Sequence, residues 1–209
     1  MPLDLWFAFL AASTALLLLP GPTVLLVLSY ALSKGRSVAI ATALGVCLGD
    51  FIALTASLLG LGALVMTSAT LFSVLKWGGA VYLIWLGFKL IRSAPEDALQ
   101  LDRPSRDITP GSVFRHAATV TALNPKSIAF FIAFVPQFVR PGEALLPQFS
   151  LLIATFVTLA GLNAIAYALM ADRLRRLITQ PRIIANITRF GGASLVAMGC
   201  LTAFMRRPV

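Results

Sequence analysis

Charged residues are scarce in this sequence. Asp, Glu, Lys and Arg make up 12% of its 209 residues, against roughly 25% in soluble domains. The mean hydropathy is +0.89, and apolar runs of about 20 residues or more recur along the chain. A soluble domain of this length would interleave polar residues to make a wet face. The composition therefore excludes water as the main solvent and predicts one transmembrane domain over residues 1–209.

Cysteine is scarce too. Cys47 and Cys200 both lie in apolar segments without a neighbouring His or second Cys, so they suggest neither a metal site nor a disulfide framework. A Gly-rich phosphate loop, a cluster of zinc ligands and a nucleophile elbow are also missing, so an ATP-driven pump and the common membrane hydrolases lack their parts. We expect a protein that is not an enzyme and uses no metal or cofactor.

Acidic residues number only 8, against 17 Lys and Arg, which gives a net charge of +9. The basic residues fall between the apolar runs rather than on one face, so they do not indicate nucleic acid as a partner. Most flank the connections after the first, third and fifth runs, and the cytoplasmic side of a membrane retains such residues in excess. The N-terminus also lacks the basic stretch of a secretory signal peptide. We predict a multi-pass protein of the bacterial inner membrane with a retained first helix and both termini in the periplasm.

The apolar runs predict an all-α membrane protein with about six transmembrane helices. The predicted spans lie near residues 5–32, 38–65, 70–91, 116–139, 147–170 and 187–205. The polar stretch 93–110 holds three prolines and is typical of a cytoplasmic linker. It would separate repeat 1, at about 5–92, from repeat 2, at about 111–209.

Short matches relate these two halves. Lys76–Ala80 aligns with Arg189–Ala193, and the same offset pairs Asp50 with Asn163. A slightly smaller offset superposes the proline motifs of the first and fourth spans. Because each half has an odd number of spans, the second would lie inverted relative to the first, as in many secondary transporters. Chance similarity between apolar helices is the alternative.

A proline break is predicted in the middle of the first span, at Pro20, Gly21 and Pro22, directly before Thr23. Proline removes a backbone hydrogen bond and clashes with the preceding turn. The polar groups that a break frees are tolerated at this depth only against protein or a wet cavity. Gly21 would cap a second half-helix with Pro22 at its first position, which leaves N–H groups for an anion. A kink without a ligand is the alternative.

Asn124, Pro125 and Lys126 repeat this device in the fourth span, with Asn as a strong cap and Lys as a full positive charge. Lys126 lies about ten residues past His116, roughly 15 Å into the span at the rise of a helix. A lysine at this depth is a functional candidate. The alternative is that its side chain snorkels to an interface.

Asp50 is the only acidic residue inside any predicted span, and Lys126 is its obvious partner. The two would hold a zwitterion, with Asp50 near its ammonium and Lys126 near its carboxylate, and Asp50 would be able to carry a proton. A purely structural ion pair is the alternative. Asn163 and Tyr167, one helical turn apart in the fifth span, would either hydrogen-bond into the same cavity or bridge two helices.

Paired glycines mark helix contacts. Gly45 and Gly49 have the spacing that lets two membrane helices approach closely, which predicts packing. Gly78–Gly79 and Gly191–Gly192 would permit either internal packing or the contact of a homodimer.

Several of these motifs together resemble one known family, the LysE/RhtB amino-acid exporters. The resemblance covers essentially the whole chain and rests on these segments: Leu19–Pro22, Gly45–Asp50, Gly87–Lys89, Leu123–Lys126 and Phe130–Phe131. It implies secondary export of amino acids or similar small zwitterions from a bacterial cytoplasm, driven by the proton gradient or the membrane potential. It also implies that the aspartate of the second helix and the two proline-broken helices form the site.

The leading hypothesis is a proton-coupled exporter that works by alternating access, with two inverted halves moving around a site at the membrane midplane. Its partners would be an amino-acid substrate, protons and membrane lipid. A passive channel or ion-handling relative that uses the same buried charges is the alternative. The candidate substrate-binding or coupling residues are Pro20, Gly21, Pro22, Thr23, Asp50, Asn124, Pro125, Lys126 and Asn163.

Overall fold

The computed structural model describes residues 1–19, 21–34, 36–67, 69–92, 109–140, 142–171 and 180–204. Every regular element within these ranges is helical. Pro20, most of the predicted linker (residues 93–108) and the arginine-rich segment 172–179 lie outside the described residues. The all-helical prediction is therefore confirmed for the part of the chain that the structure describes.

Eight α-helices and one 3₁₀ turn form the described part of the chain. The α-helices are α1 (Leu3–Leu18), α2 (Pro22–Lys34), α3 (Arg36–Thr67), α4 (Ala69–Arg92), α5 (Pro110–Ala122), α6 (Pro125–Ala133), α7 (Leu145–Leu169) and α8 (Pro181–Phe204). The 3₁₀ turn, Val135–Phe138, follows α6. The pairs α1–α2 and α5–α6 thus correspond to the first and fourth predicted spans, each interrupted where the proline motifs lie.

Two helices, α5 and α8, begin earlier than hydropathy predicts, and the start of α5 shows why. α5 begins at Pro110, six residues before the predicted span, because the Thr109 side chain accepts a hydrogen bond from the Ser112 backbone N–H while the Thr109 backbone N–H donates one to Ser112 Oγ. This capping box satisfies two free donors at the start of the helix. The first turns of α5 are polar, so a hydropathy window misses them. The end of the predicted linker, residues 109–110, is therefore the start of α5.

Part of the bundle consists of helices that are long and apolar enough to cross a membrane. Within the described ranges, Val38–Gly60 of α3 and all of α7 are long and apolar enough to cross a membrane, each with a mean hydropathy of 2.0. Counting α1–α2 and α5–α6 as one bent span each raises the number to four. The same criterion does not select α4 or α8, so the count of six spans and their inverted arrangement stay predictions.

Glycine contacts bring the helices together. A Cβ added at Gly45 or Gly49 of α3 would collide with the α5 backbone, the latter at 2.6 Å from the carbonyl oxygen of Ala118. The packing role predicted for this glycine pair is confirmed. α4 and α8 meet in the same way, since Gly87 and Gly192 face each other and a Cβ on either would stand 2.5 Å from the carbonyl oxygen of the other.

The glycines considered for a homodimer mostly pack inside the protein. A Cβ at Gly79 would collide with Ala133, one at Gly191 would touch Leu19, and Gly192 faces α4 as described above. Among these four, Gly78 alone faces open space. The homodimer thus stays a prediction, with little surface among these glycines to support it.

A cluster of phenylalanines fills the half of the bundle that contains the N-terminus. Its members are Phe9, Phe130, Phe131, Phe134, Phe138 and Phe156, all buried. Neighbouring rings pack edge to face or stack, with centroids 4.8 to 5.3 Å apart at the closest pairs. These contacts join α1, α6, the 3₁₀ turn and α7.

Two smaller apolar groups flank α2. Val24 and Leu28 pack on Ala171 at one side of α2, and Tyr30 packs on Val38 and Val113 at the other. Val27 of the same helix is buried in the main core together with the phenylalanines, so α2 is packed on the rest of the bundle along several of its sides.

Candidate functional site

The first helix breaks between Leu18 and Pro22, and the chain bends there by 59°. Leu19 has an extended backbone, and α2 restarts with Pro22 at its first position while the Gly21 carbonyl accepts the first bond of the new helix, from Leu25 N–H at 3.0 Å. The predicted positions of Gly21, before the second half-helix, and of Pro22, at its first residue, are confirmed. The break interrupts the helical bonds of the last carbonyl groups of α1, of which that of Leu16 still accepts one from Leu19 N–H at 3.3 Å.

The second break lies between α5 and α6, with a bend of 45°. Asn124 caps α6, since its Oδ1 accepts a hydrogen bond from the Lys126 backbone N–H at 3.1 Å, and Pro125 takes the first helical position. The Asn124 Nδ2 donates to Thr23 Oγ1 at 3.1 Å, and Thr23 Oγ1 lies 3.4 Å from Thr121 Oγ1. The buried Asn124 thus caps one broken helix and binds the start of the other half-helix, α2.

Three side chains from α6 and α7 bind the four carbonyl groups at the end of α1. Lys126 Nζ donates to the carbonyl oxygens of Leu16 at 3.2 Å and Leu19 at 2.9 Å. Asn163 Nδ2 donates to that of Leu17 at 3.1 Å, and the Tyr167 hydroxyl donates to that of Leu18 at 2.9 Å. The end of a broken helix is therefore satisfied by side chains from the other half of the sequence.

These contacts settle two alternatives left by the sequence. Lys126 does not snorkel, because its ammonium is bound to carbonyl groups at the break. Asn163 and Tyr167 do both things proposed for them, since they bridge α7 to α1 and also line the cavity beside the break.

The expected ion pair between Asp50 and Lys126 does not form. Both ion pairs in the described part of the chain involve Glu143. Lys126 turns instead toward the end of α1, where the free carbonyls carry partial negative charge that attracts a cation. Asp50 is 2% exposed, and its Oδ1 has no hydrogen-bond partner. The depth of both residues was predictable from their positions in the spans, whereas the direction of the lysine side chain was not.

A small cavity of about 30 Å³ lies between the two breaks, which is room for about two water molecules. Its polar lining consists of Thr23, Asp50, Asn124, Lys126, Ser127, Asn163 and Tyr167. The predicted Thr23, Asp50, Asn124, Lys126 and Asn163 are thus brought together around one space. Pro22 and Pro125 start the adjoining half-helices without lining the cavity, and Pro20 lies outside the described residues.

Ser127 is a cavity residue that the sequence analysis missed. It follows Lys126 in the first turn of α6 and is buried. A signal was available, since a hydroxyl in the first turn after a predicted midspan cap lies close to the break. The remaining walls are aliphatic and come from α1, α2, α3 and α7. Within the described residues, no three side chains of His, Cys, Asp or Glu come together in a way that would hold a metal ion.

Comparison with known proteins assigns the chain to a group. A family model described as LysE type translocator matches residues 5–206. The homoserine/homoserine lactone efflux protein of Salmonella typhimurium is 33% identical over 206 residues, 99% of each chain. A leucine efflux protein of Klebsiella pneumoniae is 28% identical over 185 residues, 82% of this chain and 86% of its own. An uncharacterized membrane protein of Vibrio cholerae is 32% identical over 204 residues, 97% of this chain and 98% of its own. No solved structure matches the chain.

Proposed function

This chain belongs to the LysE family of translocators, and from that premise we propose that it is a secondary transporter that exports amino acids or similar small zwitterions from the cytoplasm. The observation that carries the proposal is the pair of helix breaks around one cavity, which holds one carboxyl and one ammonium group, Asp50 and Lys126. The relatives named for efflux of homoserine, homoserine lactone and leucine support an amino-acid substrate.

The charges of the cavity fit an amino acid with an uncharged side chain. Among the described residues that line the cavity, Asp50 and Lys126 are the only ionisable groups besides the Tyr167 hydroxyl. An α-ammonium and an α-carboxylate would balance them one for one. A basic or acidic substrate side chain would bring a third charge without a partner, which is costly to bury. The aliphatic walls formed by Val24, Val27 and Val46 suit an apolar side chain.

The small size of this cavity supports transport by alternating access. A space for about two water molecules is too small for an amino acid, so the transporter must open to load and to release its substrate. Asp50 would carry the coupled proton, because it is the buried acid that faces the substrate space.

We propose the inner membrane as the location, with both termini in the periplasm and lipid around the bundle. The inverted repeat is part of this proposal, and its support is the set of short sequence matches between the two halves.

Efflux from proteoliposomes tests this function. Purified protein would be reconstituted with a panel of labelled amino acids inside, with and without an imposed pH gradient. We expect saturable efflux of a few uncharged amino acids that the gradient accelerates. Asp50→Asn removes the group that carries the proton, so it should abolish the proton movement coupled to substrate.

The matched control is Asp4→Asn, which makes the same chemical change at an exposed position of α1. A folded Asp50→Asn variant with normal export and normal proton coupling would show that Asp50 has been wrongly assigned. Flux that rises linearly with substrate concentration and ignores the gradient would indicate the passive channel instead.

A further inference from the structure

The ammonium of Lys126 occupies the negative end of a helix. Its Nζ donates to the carbonyl oxygens of Leu16 and Leu19 at the end of α1. The last carbonyls of a helix carry a partial negative charge and accept hydrogen bonds from cations. A lysine ammonium and the α-ammonium of an amino acid have the same charge and the same three donors. The place where Lys126 binds would therefore accept a substrate ammonium equally well.

Asp50 provides an independent sign that a donor is missing from this cavity. Its side chain is 2% exposed, and its Oδ1 is buried without a hydrogen-bond partner. A buried polar atom without a partner is costly, and such atoms are rare in folded proteins. Lys126 lines the same cavity but is bound elsewhere. The cavity thus holds a carboxyl oxygen that can accept a hydrogen bond from a cation. The lysine of the same cavity does not supply that bond, because its ammonium binds the end of α1.

The position of Lys126 depends on the absence of a side chain at Gly21. A Cβ at this residue would stand 3.3 Å from the Lys126 Nζ and 3.5 Å from its Cε. The break in the first helix therefore leaves a space that the end of the lysine fills. An added methyl group would crowd the ammonium without changing any charge.

On the premise of the proposed function, we propose that Lys126 is an internal competitor for the substrate ammonium. In the empty transporter its ammonium takes the carbonyl end of α1. On loading, the substrate ammonium binds between these carbonyls and Asp50, while Lys126 moves off and faces the substrate carboxylate. After release, Lys126 returns to α1.

This exchange of partners gives Lys126 a role in the return step. An exporter that releases its substrate must change its access again without substrate. The returned lysine neutralises the carbonyl end of α1 during that step, so no external cation has to be bound there besides the proton that Asp50 carries. Without the lysine, the transporter would change its access back to the cytoplasm only with a substrate molecule bound. The protein would then exchange substrates without net export.

Two flux measurements on Lys126→Gln test the inference, with labelled leucine or labelled homoserine inside proteoliposomes. Net efflux is measured into buffer without substrate, and exchange is measured with the same amino acid unlabelled outside. We expect net efflux to fall by about tenfold or more relative to exchange, since a charged partner of a helix end is lost. Lys126→Arg, which keeps the charge, should restore part of the net efflux.

Tyr167→Phe is the matched control. It also removes a hydrogen bond to a carbonyl at the end of α1, that of Leu18, but it removes no charge. Its ratio of net efflux to exchange should stay at the wild-type value. Gly21→Ala tests the same step while the lysine itself is kept. Its ratio of net efflux to exchange should fall because the methyl group crowds the ammonium.

The ratio of net efflux to exchange distinguishes the proposed return step from the alternatives. Equal loss of efflux and exchange in Lys126→Gln would show that the lysine only binds substrate, and an unchanged ratio would show that the return step does not use it. Either result overturns the inference and leaves the proposed function standing. If Lys126→Gln does not fold, the ratio in Gly21→Ala decides. If the wild-type protein moves neither label in either assay, the proposed function itself fails, and this inference fails with it.

Discussion

At the scale of the residue, polar side chains replace the backbone bonds that each helix break removes. Asn124 caps α6 through Oδ1 and binds Thr23 through Nδ2. Asn163 and Tyr167 each donate to one carbonyl of α1. In hydrocarbon these groups would have no water to bind. The asparagines and the tyrosine therefore hold the cavity in shape, whereas Asp50 is left free to bind.

Glycine positions can be ranked by the space around them. Gly87→Ala should lower the free energy of unfolding by about 1–3 kcal/mol, because the new methyl group would overpack the α4–α8 contact. The Cβ would stand 2.5 Å from the Gly192 carbonyl oxygen and 2.7 Å from Val196 Cγ2. Thermal unfolding in detergent measures the change.

The control is Gly78→Ala in the same helix. Nothing lies within 4 Å of its added Cβ, and alanine favours helix more than glycine does. Its unfolding temperature should match or exceed that of the wild-type protein. Equal behaviour of the two variants would mean that α4 and α8 do not pack as described.

The sequence predicts which residues lie around the candidate cavity better than it predicts the groups to which they bind. The cap at Asn124 was predictable because Asn before Pro in a broken span has few other uses. The partner of Lys126 was not, because a lysine can reach several positions and the free carbonyls of α1 come from a segment more than a hundred residues away. Ser127 was missed because serine carries little signal by itself.

At the scale of the element, α2 is a half-helix that the break separates from α1. Its polar contacts with α5 include the one between Thr23 and Thr121 and the hydrogen bond between Tyr30 and His116, 2.8 Å from hydroxyl oxygen to Nδ1. Its apolar neighbours are the two small groups described above and, through Val27, the main core. A movement of α2 away from α5 would have to separate these polar contacts.

A cross-link between α2 and α5 tests whether that movement is required. Thr23→Cys with Thr121→Cys, in a variant without the native cysteines Cys47 and Cys200, would place two thiols where the hydroxyl oxygens lie 3.4 Å apart. We expect oxidation to stop efflux and a reductant to restore it, because the disulfide would hold the cavity closed. Efflux before and after oxidation is the measurement.

Each single cysteine variant, treated with the same oxidant, serves as the control for damage elsewhere. Undiminished efflux from the cross-linked protein would show that α2 and α5 stay together throughout transport.

Helix existence was predictable from hydropathy, whereas helix starts were not. The predicted second, third and fifth spans agree with α3, α4 and α7 to within two residues at each end. α5 and α8 begin earlier because their first turns are polar, and Pro110 and Pro181 provide a suitable first helical residue. Capping is local chemistry that a window of apolar residues does not register.

At the scale of the whole molecule, the orientation in the membrane decides which end of the cavity faces the cytoplasm. We predict that both termini lie in the periplasm, because most Lys and Arg flank the connections on the opposite side. A tag at either terminus should then be removed by a protease added to the periplasmic side of intact spheroplasts.

The control for leakage is a tag inserted into the linker near residue 100, which should resist the protease until the membrane is opened. Resistance of both terminal tags with cleavage of the linker tag would invert the orientation and would make the phenylalanine cluster the cytoplasmic end.

The end of α1 has a consequence for how the protein is made. A ribosome delivers the first helix long before it delivers Lys126, Asn163 and Tyr167, which bind its last four carbonyl groups. Until the fourth and fifth spans emerge, those groups lack the side chains that bind them in the folded protein. The nascent first half must therefore wait at the insertion machinery or near the lipid headgroups, and its final depth is set only when synthesis is almost complete.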